Sequence, residues 1–365
     1  MTDDLDRARM TESPYHEAPP GRRRLHLSFT RLLWLALFVI VVAAIATNLH
    51  EVKQIIDEFR TARPPFVVAT AVVEVLFVLN LTFFYVTTFW ATDLRASPWR
   101  FVFITQASYF VNLVSKTAGI GGIAFYLREA RRTEQPVARV SAAYMAAYIL
   151  GYTAFFVVLT AALITLYLQG SLTRAEVIAS LIIAGIIVAV GAVPVAAISS
   201  RRMLQRVYLL AVRPLNEAAR LLHRPPPMNV ETVQASADEL YDAITFVRRR
   251  PARYVIPFVH ALGVEVFAAA LLYLMAHAVH ANISVPQALS AYAISLLFSL
   301  VAITPSGIGF VEVSLSLLLV SFGVEKNTAI AAAIGYRAFE FWLPVLLGAA
   351  SLPVLQRIQR IPEER

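Results

Sequence analysis

The chain has 365 residues, of which 58% are hydrophobic and 15% are charged, and its mean hydropathy is +0.64. Soluble domains are roughly half apolar and a quarter charged, so this composition predicts an integral membrane protein with several spans. The sequence contains no cysteine, which excludes disulfides, thiolate catalysis and cysteine-ligated metal or iron–sulfur sites. Its net charge of +8 comes almost wholly from arginine and indicates membrane topology before it indicates nucleic-acid binding.

The first segment, residues 1–30, is polar and carries the run Arg22-Arg23-Arg24. It is predicted to be a disordered cytoplasmic tail. The apolar run 32–46 that follows is predicted to be the first transmembrane helix. Because this run ends in Ala44-Ile45-Ala46, a cleavable signal peptide is the alternative.

Further apolar stretches approach the ~20 residues that a span requires. Full spans are predicted at 66–90, 139–168, 175–198, 252–276 and 328–355. Two other stretches are interrupted by glycines. In the first, the apolar residues 100–114 are followed by the glycine-containing segment 115–122 and a short charged helix at 123–132. In the second, the apolar residues 288–303 are followed by the glycine-containing segment 304–309 and a helix at 310–322.

The basic segments orient these elements. Arginines concentrate in the N-terminal tail, at 128–139, at 201–253 and at the C-terminal end, so all four regions are predicted to be cytoplasmic. Each interrupted stretch then begins and ends on one side of the membrane. We therefore predict an all-α, polytopic membrane protein with about six full spans and two opposed re-entrant helical hairpins. A hairpin that crosses the membrane completely and returns gives the same orientation, so both hairpin depths are compatible with the sequence.

The two halves of the sequence resemble one another. A shift of 188 residues places Gly119-Ile120-Gly121 on Gly307-Ile308-Gly309. We predict an inverted repeat with a first half at 31–198, a basic cytoplasmic connector at 199–251, a second half at 252–355 and a cytoplasmic tail at 356–365. Inverted repeats with interrupted helices are typical of secondary transporters, whose sites lie near the membrane midplane.

The two hairpin tips, 115–122 and 304–309, are the predicted binding site. At each tip a helix starts directly after glycines, so its free N–H groups and the positive end of its dipole favour an anion. Breaks and charges within apolar sequence also persist mainly where they line a protein-enclosed cavity. The predicted substrate-binding residues are Lys116, Gly119, Gly121, Gly122, Pro305, Ser306, Gly307, Gly309, Glu312, Arg337 and Glu340.

The charged members of this set have assigned roles. Arg337 is predicted to clamp a phosphodiester, and Glu312 to orient Arg337. The alternative is that Arg337 pairs with Glu340, three residues later, or with Glu312, and only fixes helix packing. Glu74, Glu265 and Glu312 are candidate proton carriers. No cofactor, no metal site and no nucleic-acid partner is predicted.

Two motifs are similar to those of a known family. One is the pattern Pro305-x-Gly307-x-Gly309-x-x-Glu312 with the later Arg337, and the other is the segment Asn112 to Gly122 followed by Arg128. The chain resembles the flippase-like membrane region of lysylphosphatidylglycerol synthases and its stand-alone relatives. The resemblance covers roughly Leu32 to Leu355 and implies handling of an amphipathic lipid in the bacterial inner membrane. It also assigns Arg128 to the first-half motif. Only about ten residues follow Leu355, so lipid aminoacylation is not expected.

Three functions fit these observations. The first is a lipid translocase that moves an anionic phospholipid, glycolipid or polyprenyl-phosphate lipid between leaflets. The second is a membrane enzyme that modifies lipid head groups, and the third is a scaffold for a lipid-modifying enzyme partner. We expect the first, with both termini in the cytoplasm and membrane lipids as partners.

Overall fold

The chain folds into helices, without strands, in the residues that the computed structural model describes. These residues are 57–114, 121–168, 249–301 and 307–358, with the shorter pieces 185, 200–206, 209, 235, 237–238, 241–242 and 244–246. The predicted spans 32–46 and 175–198 lie outside them apart from Gly185, as does most of the connector 199–251.

The longer helices begin and end close to the positions expected from the sequence. They are α1 (Pro64–Ala91), α2 (Pro98–Val114), α3 (Ile123–Arg132), α4 (Val137–Leu168), α5 (Val255–Ala278), α6 (Val285–Val301), α7 (Phe310–Ser321), α8 (Lys326–Arg337) and α9 (Leu343–Ile358). A 3₁₀ turn, Pro251–Tyr254, precedes α5, and a π-helical segment, Ala338–Trp342, joins α8 to α9.

Four helical segments among the described residues are long and apolar enough to cross a membrane. They are Pro64–Ala91, Val137–Thr165, Pro251–Ala278 and Lys326–Arg357. The first, α1, has 28 residues and therefore extends about 42 Å, more than the ~30 Å of a bilayer's hydrocarbon core. The chain is thus a multi-pass membrane protein.

Helices α1 and α5 form a long antiparallel pair. The Arg63 amide donates to the Ala278 carbonyl at 2.8 Å at one end of the pair. Halfway along, Asn80 Nδ2 donates to the His260 carbonyl at 2.8 Å, and Asn80 Oδ1 lies 2.8 Å from His260 Nδ1. Gly263 permits this approach, because a Cβ atom there would lie 2.9 Å from Asn80 Nδ2.

The far end of this pair is rich in arginine, and we call it the basic end (residues 92–100, 129–139 and 250–254). Here Asp93 forms ion pairs with Arg250, at 3.2 Å, and with Arg253. Gln135 binds the backbone of Arg95 from the turn between α3 and α4, with Nε2 donating to the carbonyl at 3.1 Å. The start of α2, the end of α3 and the start of α4 therefore lie at this end.

The other end of the pair, residues 57–63, 277–285 and 322–328, is called the opposite end. His280 Nε2 lies 3.0 Å from the Thr61 carbonyl, and Thr328 Oγ1 donates to Glu58 at 3.3 Å. Consequently α6 starts and α7 finishes at the opposite end, whereas α2 starts and α3 finishes at the basic end. The two interrupted pairs therefore start and finish at contrary ends of the α1–α5 pair.

Candidate functional site

Arg337 is the centre of a buried polar cluster. It is only 4% exposed, and its Nε donates to Glu312 at 3.0 Å while Nη1 donates to Glu340 at 2.8 Å. Its guanidinium also lies 4.4 Å from the centroid of the Phe341 ring. The ion pairs with Glu312 and with Glu340, which the sequence offered as alternatives to phosphate binding, are therefore both present. Through them Arg337 connects α7 to the segment that follows α8.

Glu312 connects this cluster to the start of α7. Its second oxygen accepts a hydrogen bond from the Gly309 amide at 2.7 Å, which forms a capping box with the helix N-terminus. Gly307 and Gly309 have φ values of +67° and +86°, a region that residues with a side chain seldom adopt. A carboxylate of the protein itself thus occupies the positive end of α7, where an external anion was predicted to bind.

The cluster lies well inside the helices. At 1.5 Å per residue, Arg337 is about 17 Å from the start of α8, Glu74 is about 15 Å from the start of α1, and Glu265 is about 20 Å from the end of α5. These three positions are all measured from the opposite end, so the groups lie at similar depth.

The π-helical segment Ala338–Trp342 directly follows Arg337. A π-helical turn is rare and is common at functional sites. Glu340 and Phe341, which contact the Arg337 guanidinium, both belong to this segment. Sequence reasoning missed it, although Pro344 was a local signal, because proline lacks the N–H that an α-helix would direct to the Glu340 carbonyl.

Two more carboxyl groups lie near this cluster, one on each helix of the antiparallel pair. Glu265 is 7% exposed and accepts a hydrogen bond from Tyr292 at 2.7 Å. Glu74 is 1% exposed, and neither of its oxygens has a hydrogen-bond partner among the described residues. Glu340 lies within electrostatic range of Glu74. The matched positions of Glu74 and Glu265 therefore have different surroundings.

Tyr109 of α2 links these groups, since it lies within electrostatic range of Glu340, Glu74, Arg337 and Glu265. Sequence reasoning did not select it. With Glu312, the described part of the cluster contains four carboxyl groups and one guanidinium. In an apolar interior such an excess of carboxyl groups favours uptake of protons, which lowers the negative charge around Arg337.

The first-half tip is described only in part. Lys116 and Gly119 lie outside the described residues, as do Pro305 and Ser306 of the second tip. Gly121 lies in the turn before α3, and Arg128 is exposed on α3.

Gly122 is held against α2. Its amide donates to Asn112 Oδ1 at 2.8 Å, and a Cβ atom at Gly122 would lie 2.2 Å from Ser108 Oγ. Asn112 Nδ2 in turn donates to the hydroxyls of Tyr144 and Tyr148 at 3.2 and 3.3 Å. The first tip therefore uses a neutral amide where the second tip uses the Glu312 carboxylate.

The histidines contact other groups. His260 pairs with Asn80, and His277 Nδ1 lies 3.0 Å from the Tyr273 carbonyl. In the part of the chain that the structure describes, no three His, Cys, Asp or Glu side chains are placed to hold a metal ion.

Comparison with known proteins agrees with this architecture. The family described as the lysylphosphatidylglycerol synthase TM region matches residues 31–348. A membrane protein of the UPF0104 group from Pyrococcus horikoshii is 39% identical over 54 residues, which is 15% of this chain and 16% of that protein. The match thus spans about a sixth of the relative. The resemblance expected from the glycine and arginine motifs is confirmed by the match over residues 31–348, and the chain belongs to the family of lysylphosphatidylglycerol synthase transmembrane regions.

Proposed function

We propose that this protein is a lipid translocase, in which the head group of an anionic lipid crosses the membrane past Arg337. The observation that carries the proposal is a buried guanidinium at mid-depth that is held by two carboxylates from different helical segments, at 3.0 and 2.8 Å. Ionisable groups inside membrane proteins are expensive and mark substrate or ion pathways. The family context supports a lipid-related role in the membrane.

In the proposed mechanism, a lipid phosphate replaces the Glu312 carboxylate on Arg337. Carboxylate and phosphate oxygens present the same charge and similar geometry to a guanidinium fork, so the exchange conserves its hydrogen bonds. Glu312 is 25% exposed at its side chain, whereas Arg337 is 5% exposed, so Glu312 is the member that can move away. Its departure also frees the Gly309 amide for the same phosphate.

We further propose that the two halves alternate around this site. The runs α1 to α4 and α5 to α9 share an order of elements, in which a long helix precedes an interrupted pair and a second long helical segment follows. The interrupted pairs are proposed to be re-entrant, with Lys116 and Gly119 forming the wall that faces Arg337. Rocking of one repeat against the other is the usual route of alternating access in such folds.

Glu74 is the proposed proton carrier of this cycle. It is buried without a hydrogen-bond partner among the described residues, and Glu340 and Tyr109 lie within electrostatic range of it. Burying an unpaired charge is costly, so such a carboxyl group is held in its neutral form and releases its proton only when its surroundings change. Arg337, when released by one carboxylate, changes the field at Glu74 and couples protonation to head-group binding.

Fluorescent-lipid exchange in proteoliposomes tests this proposal. Vesicles carry an NBD-labelled anionic lipid, and dithionite reduces only the label in the outer leaflet. The wild-type protein should expose the inner-leaflet label, and Arg337→Gln should abolish this exposure. Arg357→Gln is the matched control, because Arg357 is an exposed arginine in the last turn of α9. Equal exchange by the two variants, both folded, contradicts the proposal.

A further inference from the structure

A second polar site lies at the basic end, away from the Arg337 cluster. An open cavity of about 620 Å³ is bounded by the end of α1, the start of α2 and the end of α3. Its polar lining includes Arg95, Arg100, Arg132, Glu129, Ser97 and Thr133. Three arginines and one glutamate give this lining a formal charge of +2 (3 − 1).

Glu129 holds two of these arginines in place. It accepts hydrogen bonds from Arg100 Nη1 at 3.1 Å and from Arg132 Nε and Nη2 at 3.1 and 2.8 Å. Because one carboxylate is shared by two guanidinium groups, one positive charge remains uncompensated. Arg132 Nη1 and Arg100 Nη2 donate to no acceptor in the described part of the chain and are available to a ligand.

Arg95 contributes the second uncompensated charge. Gln135 fixes the Arg95 backbone through two hydrogen bonds. The Arg95 amide donates to Gln135 Oε1 at 2.6 Å, and Gln135 Nε2 donates to the Arg95 carbonyl at 3.1 Å. Its guanidinium, in contrast, makes no hydrogen bond or ion pair with any residue that the structure describes. A fixed backbone with an uncommitted cation is suited to closing over a ligand.

The rest of the lining places this cavity at a membrane surface. Trp90 is 48% exposed, and its indole N–H donates to the Ala96 carbonyl at 3.2 Å. Trp99, nearby at the start of α2, is 71% exposed. Exposed tryptophans at helix ends typically lie at the level of lipid head groups. A ligand in this cavity therefore meets three arginines and an indole ring at the level expected for lipid head groups.

We propose that this cavity binds the phosphate of an anionic lipid head group at the basic end of the protein. Guanidinium groups bind phosphate through paired N–H donors, and a net positive cavity at head-group depth selects anionic lipids over zwitterionic ones. The site is independent of the proposed translocation, because none of its residues belongs to the Arg337 cluster. It requires only that the basic end faces a leaflet with anionic lipid.

Other arginines at this end provide a matched control. Arg131 is exposed on the same helix as Arg132 but does not line the cavity. General attraction between a basic surface and anionic lipid predicts equal effects of Arg95 and Arg131. A built phosphate site predicts that Arg95 matters more.

Native mass spectrometry of the purified full chain tests the site, with micelles doped either with phosphatidic acid or with phosphatidylcholine. Arg95→Gln should weaken retention of phosphatidic acid about fivefold, the effect of one basic side chain near anionic lipid, while Arg131→Gln should change it less than about twofold. Ser97→Asp, which places a negative charge in the cavity, should remove the preference for phosphatidic acid.

Three results would overturn the proposal. Equal losses in Arg95→Gln and Arg131→Gln would show general surface attraction. Unchanged selectivity in folded Ser97→Asp would show that the lipid binds elsewhere. Displacement of phosphatidic acid by millimolar inorganic phosphate, with equal affinity for the two, would assign the cavity to a soluble phosphate ligand instead of a lipid.

Discussion

Replacing Arg337 by glutamine should destabilise the protein strongly, because it leaves Glu312 and Glu340 without their shared cation. Removing one member of a buried ion pair costs about 3–5 kcal/mol in soluble proteins. Hydrogen bonds inside membrane proteins are weaker, with measured values of about 0.6–2 kcal/mol, and Glu312 is partly exposed at 25%. We therefore expect a loss of about 3 kcal/mol for Arg337→Gln, at the lower end of the range for soluble proteins.

The loss is measured as the temperature at which half of the monodisperse protein remains after heating in detergent. A change of that size lowers the midpoint by about 6–12 °C, taking 2–4 °C per kcal/mol for a chain somewhat shorter than this one. Adding Glu340→Gln to Arg337→Gln should recover part of the loss, since it removes one uncompensated carboxylate. The exposed control Arg357→Gln should shift stability by less than about 0.5 kcal/mol.

Two outcomes would refute this reasoning. If Arg337→Gln melts together with Arg357→Gln, the guanidinium does not stabilise the cluster. If Glu340→Gln destabilises the Arg337→Gln protein further, repulsion between the carboxylates is not the cause of the loss.

Other substitutions test separate parts of the structure. Gly348→Ala should cost about 1–3 kcal/mol, because the new Cβ would lie 2.3 Å from Phe110 Cβ. Gly151→Ala, whose new Cβ has no atom of the described residues within 4 Å, should be neutral or slightly stabilising by thermal melting. Glu325 caps α8, and hydrogen bonds from the Thr328 and Asn327 amides lower the pKa of its carboxyl group. Its contribution to stability is therefore present at neutral pH and lost on acidification. Glu325→Gln should melt at a lower temperature than the wild type at pH 7, and the two melting temperatures should converge in acid. Glu74→Gln should fold normally, because Glu74 has no hydrogen-bond partner among the described residues, and should flatten the pH dependence of lipid exchange. A wild-type pH profile would remove Glu74 from the cycle.

Periodicity and turn residues predicted most of the described helices. The break before Ile123 and the break before Phe310 were both visible as glycines within apolar sequence, and both helices begin at the expected residue. The pairing of Arg337 with Glu340 was also visible, because residues three apart share a helix face.

Features that depend on contacts between distant segments could not be predicted in the same way. Glu74 and Glu265 look equivalent in sequence, yet among the described residues only Glu265 has a tyrosine partner, which comes from α6. Occupation of the α7 N-terminus by Glu312 follows from side-chain direction, which helix spacing alone does not determine.

The central claim is that a lipid head group exchanges with Glu312 on Arg337. The most direct test is the rate of NBD-lipid exposure in proteoliposomes containing wild type, Arg337→Lys or Arg357→Gln. Lysine keeps the positive charge but lacks the planar fork that holds two oxyanions at once. The account predicts that Arg337→Lys, although folded, loses most of the exchange while Arg357→Gln retains it. Full exchange by Arg337→Lys, or no exchange by the wild type, would contradict the account.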